Sequence, residues 1–157
     1  FMNSLNTPQL IKTQIIDVTC GKGVRIIEPS NLYGCTIGDG SFIGPFVEIQ
    51  SKANIGKNCK IQSHSFICSF VNVSDFCFIG HGVTFTNDVF KNGASSCNEK
   101  DWLPTYIEDH VSIGSGSTIL PVRIASGCVV GAGSVVTKDL KIKGIYAGSP
   151  AKLIRKL

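Results

Sequence analysis

A large aliphatic residue recurs at every sixth position over much of the chain. Ile37, Ile43, Ile49, Ile55, Ile61, Ile67, Val73, Ile79 and Phe85 follow one another without a break. Four places after each stands a small or β-branched residue: Ser41, Val47, Ala53, Cys59, Ser65, Val71, Cys77 and Val83. The pattern stops at Val89–Thr105 and returns at Ile107, Ile113 and Ile119. One residue is then missing, and the pattern resumes at Ile124, Val130, Val136 and Ile142. A period of six scatters around an α-helix, but it divides evenly into the two-residue alternation of a strand. Each unit therefore reads as a short strand plus a turn, and three units close a triangular coil of about 18 residues. The large residue fills the interior and the small one fits beside it. Intervening glycines such as Gly38, Gly44, Gly56, Gly80, Gly114 and Gly131 supply turns. Coils then stack at about 4.8 Å. The expected fold class is all-β, a parallel β-helix in one domain over residues 1–157. It carries one long extruded loop at about 88–105 and a short C-terminal segment. Val18 and Val24 open a further, irregular coil.

Composition narrows the classes. The chain has 157 residues, 43% hydrophobic and 17% charged, which excludes a disordered chain. No apolar run approaches the roughly 18 residues of a membrane helix, so no membrane partner is expected. Phe1 precedes Met2, which reads as the natural start, and no secretory leader is evident. The seven cysteines are odd in number and form no C-x-x-C pair, so they read as reduced thiols of a cytoplasmic protein. Cys59 and Cys77 are one coil apart and read as small core residues. The net charge of +4 is too weak to suggest nucleic acid. From Arg123 onward, however, seven basic residues face a single acid, Asp139. That segment suits a compact polyanion, or simply a solvated tail.

Three features could carry chemistry. The segment 88–105 departs from the repeat and holds the single tryptophan, Trp102, either as a platform over substrate or as a subunit-contact anchor. His64 and His81 fall in hexads one coil apart, which predicts neighbouring imidazoles beside the polar run Thr84, Thr86, Asn87 and Asp88. His110 lies beyond the loop. Three histidines on this scaffold raise the zinc chemistry of the γ-class carbonic anhydrases. Their G-H-x-x-x-x-H pattern here ends in Thr86 after Gly80-His81, so no metal is expected.

Several stretches resemble the hexapeptide acyltransferases. They are Ile43-Gly-Pro-Phe-Val-Glu-Ile-Gln, Lys60-Ile-Gln-Ser-His-Ser-Phe-Ile, Phe78-Ile-Gly-His-Gly-Val-Thr-Phe-Thr-Asn-Asp, Val130-Gly-Ala-Gly-Ser-Val-Val-Thr-Lys-Asp and Ala147-Gly-Ser-Pro-Ala-Lys. The resemblance spans roughly residues 17–155. Within the superfamily it leans toward nucleotide-sugar N-acetyltransferases, such as those acting on dTDP-3-amino-3,6-dideoxyhexoses in surface-polysaccharide pathways. It implies a left-handed β-helix, a homotrimer, and acetyl-CoA lying in a groove between subunits. It carries cofactor contacts over to Ser115, Ala132, Thr137 and Lys138. Lys152 would meet a CoA phosphate as a point charge. The family motif has Asn where this chain has Ser149, and one residue of the repeat is missing near Pro121.

The expected reaction is acetyl transfer from acetyl-CoA to the amine of a nucleotide-linked sugar. Asn87 and Asp88 hold the amine, His64 or His81 accepts its proton, and Thr86 and Trp102 contact the substrate. No added nucleotide-binding domain is expected. The alternatives are a sugar O-acetyltransferase, a carbonic-anhydrase-like metalloprotein and a non-catalytic solenoid.

Overall fold

The computed structural model describes residues 15–96 and 98–157; the expected start at Met2 and the thiol Cys97 lie outside them. The chain winds as a left-handed parallel β-helix of about seven coils whose strands stack into three sheets. Sheet A stacks Ile15–Ile16, Asn31–Tyr33, Glu48–Ile49, Phe66–Ile67, Thr84–Phe85, Thr118–Ile119 and Val135–Val136. Sheet B stacks Thr19–Cys20, Thr36–Ile37, Asn54–Ile55, Val71–Val73, Thr105–Ile107 and Arg123–Ile124. Sheet C stacks Arg25–Ile26, Phe42–Ile43, Lys60–Ile61, Phe78–Ile79, Ser112–Ile113, Val129–Val130 and Gly144–Ala147. Lys152–Lys156 then closes sheet C as an antiparallel edge strand. The strands are mostly two residues long because the six-residue unit leaves room for no more before the next corner.

The periodic residues form the core. Ile43, Ile49, Ile61, Ile67, Ile79, Ile113 and Ile119 are all fully buried. The small residues pack beside them, and where they are serines each hydroxyl finds a carbonyl. Ser41 Oγ donates to Gly56 O at 2.8 Å and Ser65 Oγ to Gly80 O at 2.8 Å, so no buried donor is wasted. The stacking repeat is 18 residues in the middle, as for Asn54 and Asn72, but 17 at both ends, as for Lys22 and Asp39 or Asp109 and Ser126. The shorter coils explain the residue missing before Ile124. They also end the hexad pattern early: Ile142 is exposed, and Leu140 bridges Ile124 and fills the core in its place. At the other end the first strand among the described residues is Ile15–Ile16, ahead of Val18 and Val24.

Each coil turns three corners, and most corners hold one residue in left-handed backbone. The corner between sheets C and A uses Phe46, His64, Gly82, Gly116 and Gly133. The corner between B and C uses Gly40, Asn58, Phe76, His110 and Gly127. The corner between A and B opens after Phe85 into the long loop, which returns at Thr105. Among its described residues Glu99–Asp101 forms a 3₁₀ turn, capped by the Asn98 side chain.

Candidate active site

The expected site residues gather at two corners of the prism. At the A/B corner the loop and the outer face of sheet A enclose a cleft of about 610 Å³. Its walls include Gln50, Cys68, Thr86, Asn87, Asp88 and Trp102. Burial pushes the Cys68 thiol up to about 12, so it lines the floor as a neutral group. Asn87 Nδ2 donates to Ser69 O at 3.2 Å. A carbonyl can only accept, so this bond fixes the amide and leaves Asn87 Oδ1 as an acceptor with no partner among the described residues.

Asp88 is held differently. Its Oδ1 accepts from Phe90 N at 2.9 Å and its Oδ2 from Ser96 N at 2.7 Å. Ser96 O in turn accepts from Trp102 Nε1 at 3.1 Å, and Ser96 Oγ donates to Asp101 Oδ2 at 2.6 Å. Asp88 thus ties the loop to the coil through Ser96. Trp102 meets Phe70 edge-on at 6.5 Å, and Lys52, paired with Glu99, lies over the Phe70 ring at 5.3 Å. These contacts dock the tryptophan against its own coil as one wall of the cleft.

The histidines stand at other corners. His81 is exposed at the C/A corner, where its Nδ1 shares a hydrogen bond with Ser63 Oγ at 2.8 Å and its backbone N–H donates to Ser115 Oγ at 3.2 Å. His64 occupies the neighbouring column, in left-handed backbone, with its ring 4.9 Å from Phe46. The residue one coil beyond His64 is Gly82, not His81, so each imidazole finds its partner in the preceding coil rather than in the other. His110 stacks flat on Phe76 at 5.0 Å at the B/C corner. Among the described residues no group of three His, Cys, Asp or Glu is placed to hold a metal ion.

Ser63, His81, Ser115 and Ala132 form one column down the C/A corner. Beside it Gly82, Gly116 and Gly133 leave open space where a Cβ would project. The corner is therefore a bare strip of backbone from His81 downward, with room for a long, thin ligand such as a pantetheine arm. At its lower end Gly148 O accepts from Val135 N at 3.0 Å and Ala151 N donates to Val135 O at 2.8 Å. This turn brings the chain round to Lys152. Of the expected cofactor residues, Ser115, Ala132 and Lys152 belong to this strip. Thr137 and Lys138 stand at the A/B corner, in line with Thr86. Gln50 lines the cleft without having stood out in the sequence, because it reads there as one more polar corner residue.

The bacterial transferase hexapeptide family (six repeats) matches residues 34–69, and the hexapeptide repeat of succinyl-transferase matches residues 104–138. Bifunctional protein GlmU of Thermotoga petrophila is 30% identical over 151 residues, covering 91% of this chain and 34% of that protein. The chain thus spans about a third of the length of this curated relative. The N-acyltransferase AntD of Bacillus cereus, solved as an aspartate-to-alanine variant with dTDP and coenzyme A, superposes with a TM-score of 0.79 at 25% identity. The match covers 88% of this chain and 83% of that one. A hexapeptide-repeat acetyltransferase of Vibrio cholerae, solved with acetyl-coenzyme A, gives 0.68 at 25% identity over 79% and 71%.

Proposed function

We propose that this chain, whose repeats are those of the hexapeptide transferases, moves the acetyl group of acetyl-CoA onto the amine of a nucleotide-linked amino sugar. The observation that carries the reading is the fixed amide of Asn87. Its Oδ1 is an acceptor on the wall of a cleft large enough for a hexose, and an amine needs such an acceptor to aim its lone pair. The likeness to AntD, itself bound to dTDP and coenzyme A, supports the nucleotide and the donor. The finer choice of a dTDP-3-amino-3,6-dideoxyhexose, and of surface polysaccharide as its destination, belongs to the same reading.

Acetyl-CoA supplies the acyl group as a thioester. The strip of Ser115 and Ala132 beside Gly82, Gly116 and Gly133 would hold its extended arm, with Lys152 toward the phosphates. Asn87 orients the amine, and Asp88 keeps the loop closed behind it. His81, steadied by Ser63, takes the proton released as the N–C bond forms and returns it to the departing sulfur, so atoms and charge balance. His64, engaged with Phe46 in a strained turn, serves the corner. His81 and Asn87 stand at opposite edges of sheet A, roughly 15–20 Å apart at strand rise. One amine reaches both only if the strip of one copy faces the cleft of the next, which fits a homotrimer.

The test is thiol release from acetyl-CoA with dTDP-3-amino-3,6-dideoxyglucose and -galactose, a dTDP-4-amino sugar and a UDP-amino sugar. Rapid release with one of them is the expected result. Release only with hydroxy sugars would replace N- by O-acetylation.

A further inference from the structure

The prism closes at its C-terminal end with a surface of one charge sign. From Leu140 onward the chain has no acidic side chain and five cations, Lys141, Lys143, Lys152, Arg155 and Lys156, all of them exposed. Ile142, Leu153, Ile154 and Leu157 are exposed among these charges, Ile154 by 64%. They belong to one end of the molecule. Lys152–Lys156 is the edge strand of sheet C, Lys156 pairs with Gly144, and Leu157 N donates to Lys143 O at 3.2 Å. Ile154 is the bulged residue of that strand, since Ile145 pairs with Arg155 and Tyr146 with Leu153. A bulge and flanking lysines turn an edge away from pairing with a further strand, so a peptide added to the sheet does not fit this surface.

We infer that this end of the prism is a docking surface for an anionic phospholipid bilayer. Cations crowded without acids repel one another, and a sheet of headgroup phosphates relieves that repulsion. The aliphatics that stand among them leave water by entering the boundary between headgroups and acyl chains. A nucleic acid would meet the charges but not the aliphatics. Tyr146, the single aromatic from Leu140 onward, is buried with its hydroxyl donating to Ile142 O at 2.7 Å, so this end offers no ring for a base to stack on. Such a contact needs no spanning segment, and no helix among the described residues is long and apolar enough to cross a membrane. The inference is independent of acetyl transfer. Lys152 is assigned to a CoA phosphate above, and the other four cations carry the surface without it.

The experiment is co-sedimentation of the full chain with vesicles. Phosphatidylcholine alone is compared with phosphatidylcholine containing about a third phosphatidylglycerol, each at about 0.1 M and about 1 M salt. The wild type should pellet with the anionic vesicles at the lower salt, and should stay in solution with neutral vesicles or at the higher salt. Lys141→Gln combined with Lys156→Gln should lower the partition coefficient by about 10- to 30-fold. Ile154→Ser should lower it several-fold, with an unchanged melting temperature because Ile154 lies outside the core. No pelleting of the wild type with anionic vesicles overturns the inference, as does equal pelleting with neutral ones. Folded variants that pellet like the wild type also overturn it. So does an Ile154→Ser protein unaffected on vesicles while the wild type binds a single-stranded oligonucleotide as tightly, since the surface would then be a nucleic-acid contact.

Discussion

Asn87 and Asp88 are neighbours in the chain but differ in what their side chains have left to offer. Asn87 spends its nitrogen on Ser69 and keeps an acceptor, whereas Asp88 gives an oxygen to each of two loop N–H groups. Asn87→Ala should lower kcat/KM for the amino sugar by 10-fold or more, with little change in melting temperature. Asp88→Ala should also loosen the loop, which a steady-state emission spectrum would report as a red shift of Trp102. An Asp88 variant with native emission would mean that Ser96 holds the tryptophan unaided. Glu108 offers a test by pH. The Arg123 guanidinium, with the Ser126 N–H, holds its carboxyl below the usual range. A lowered folded value stabilises above the ordinary carboxylate range and loses that contribution as pH falls through it. The melting temperature of the wild type should therefore exceed that of Glu108→Gln at pH 7, and the gap should close below about pH 4.

At the scale of a coil, the hexad period identified every large core residue from Ile37 to Phe85, because a fully buried position tolerates little but a bulky aliphatic. It erred where geometry is set by corners rather than by the interior. His64 and His81 differ by one column because they hold different places in their hexads, a distinction that matters only once the turn is drawn. Ile142 fits the period but not the shorter coil that Leu140 closes. Gln50 gave no signal, because its place in the cleft wall is fixed by a partner 19 residues away and not by any motif. The glycines that open some of the corners, Gly80 among them, were legible, and their reason is contact between coils. A Cβ on Gly80 would lie 2.6 Å from Ser115 N and 2.8 Å from Ile113 O, both backbone. Gly80→Ala should therefore push two coils apart beside His81. Native-state hydrogen exchange should show lost protection at Gly80 and Gly114 before the rest of the solenoid.

Across the whole molecule, stability is a sum over stacked coils, each covering its neighbour's open end. Ile79 is fully buried with coils on both sides, so Ile79→Ala should cost about 2–5 kcal/mol in denaturant unfolding. The loop stands outside this sum. It leaves the prism after Phe85 and rejoins it at Thr105, which pairs with Val71 as though the coil had never been interrupted. Ser115 consequently follows His81 by 34 residues and still meets it one coil away. The scaffold is indifferent to what is spliced in at that corner, provided both ends return to their columns. The strip proposed for the donor and the corner proposed for the acceptor can then change on separate evolutionary clocks. A lineage of such proteins can inherit one acyl donor intact while trading recipients loop by loop.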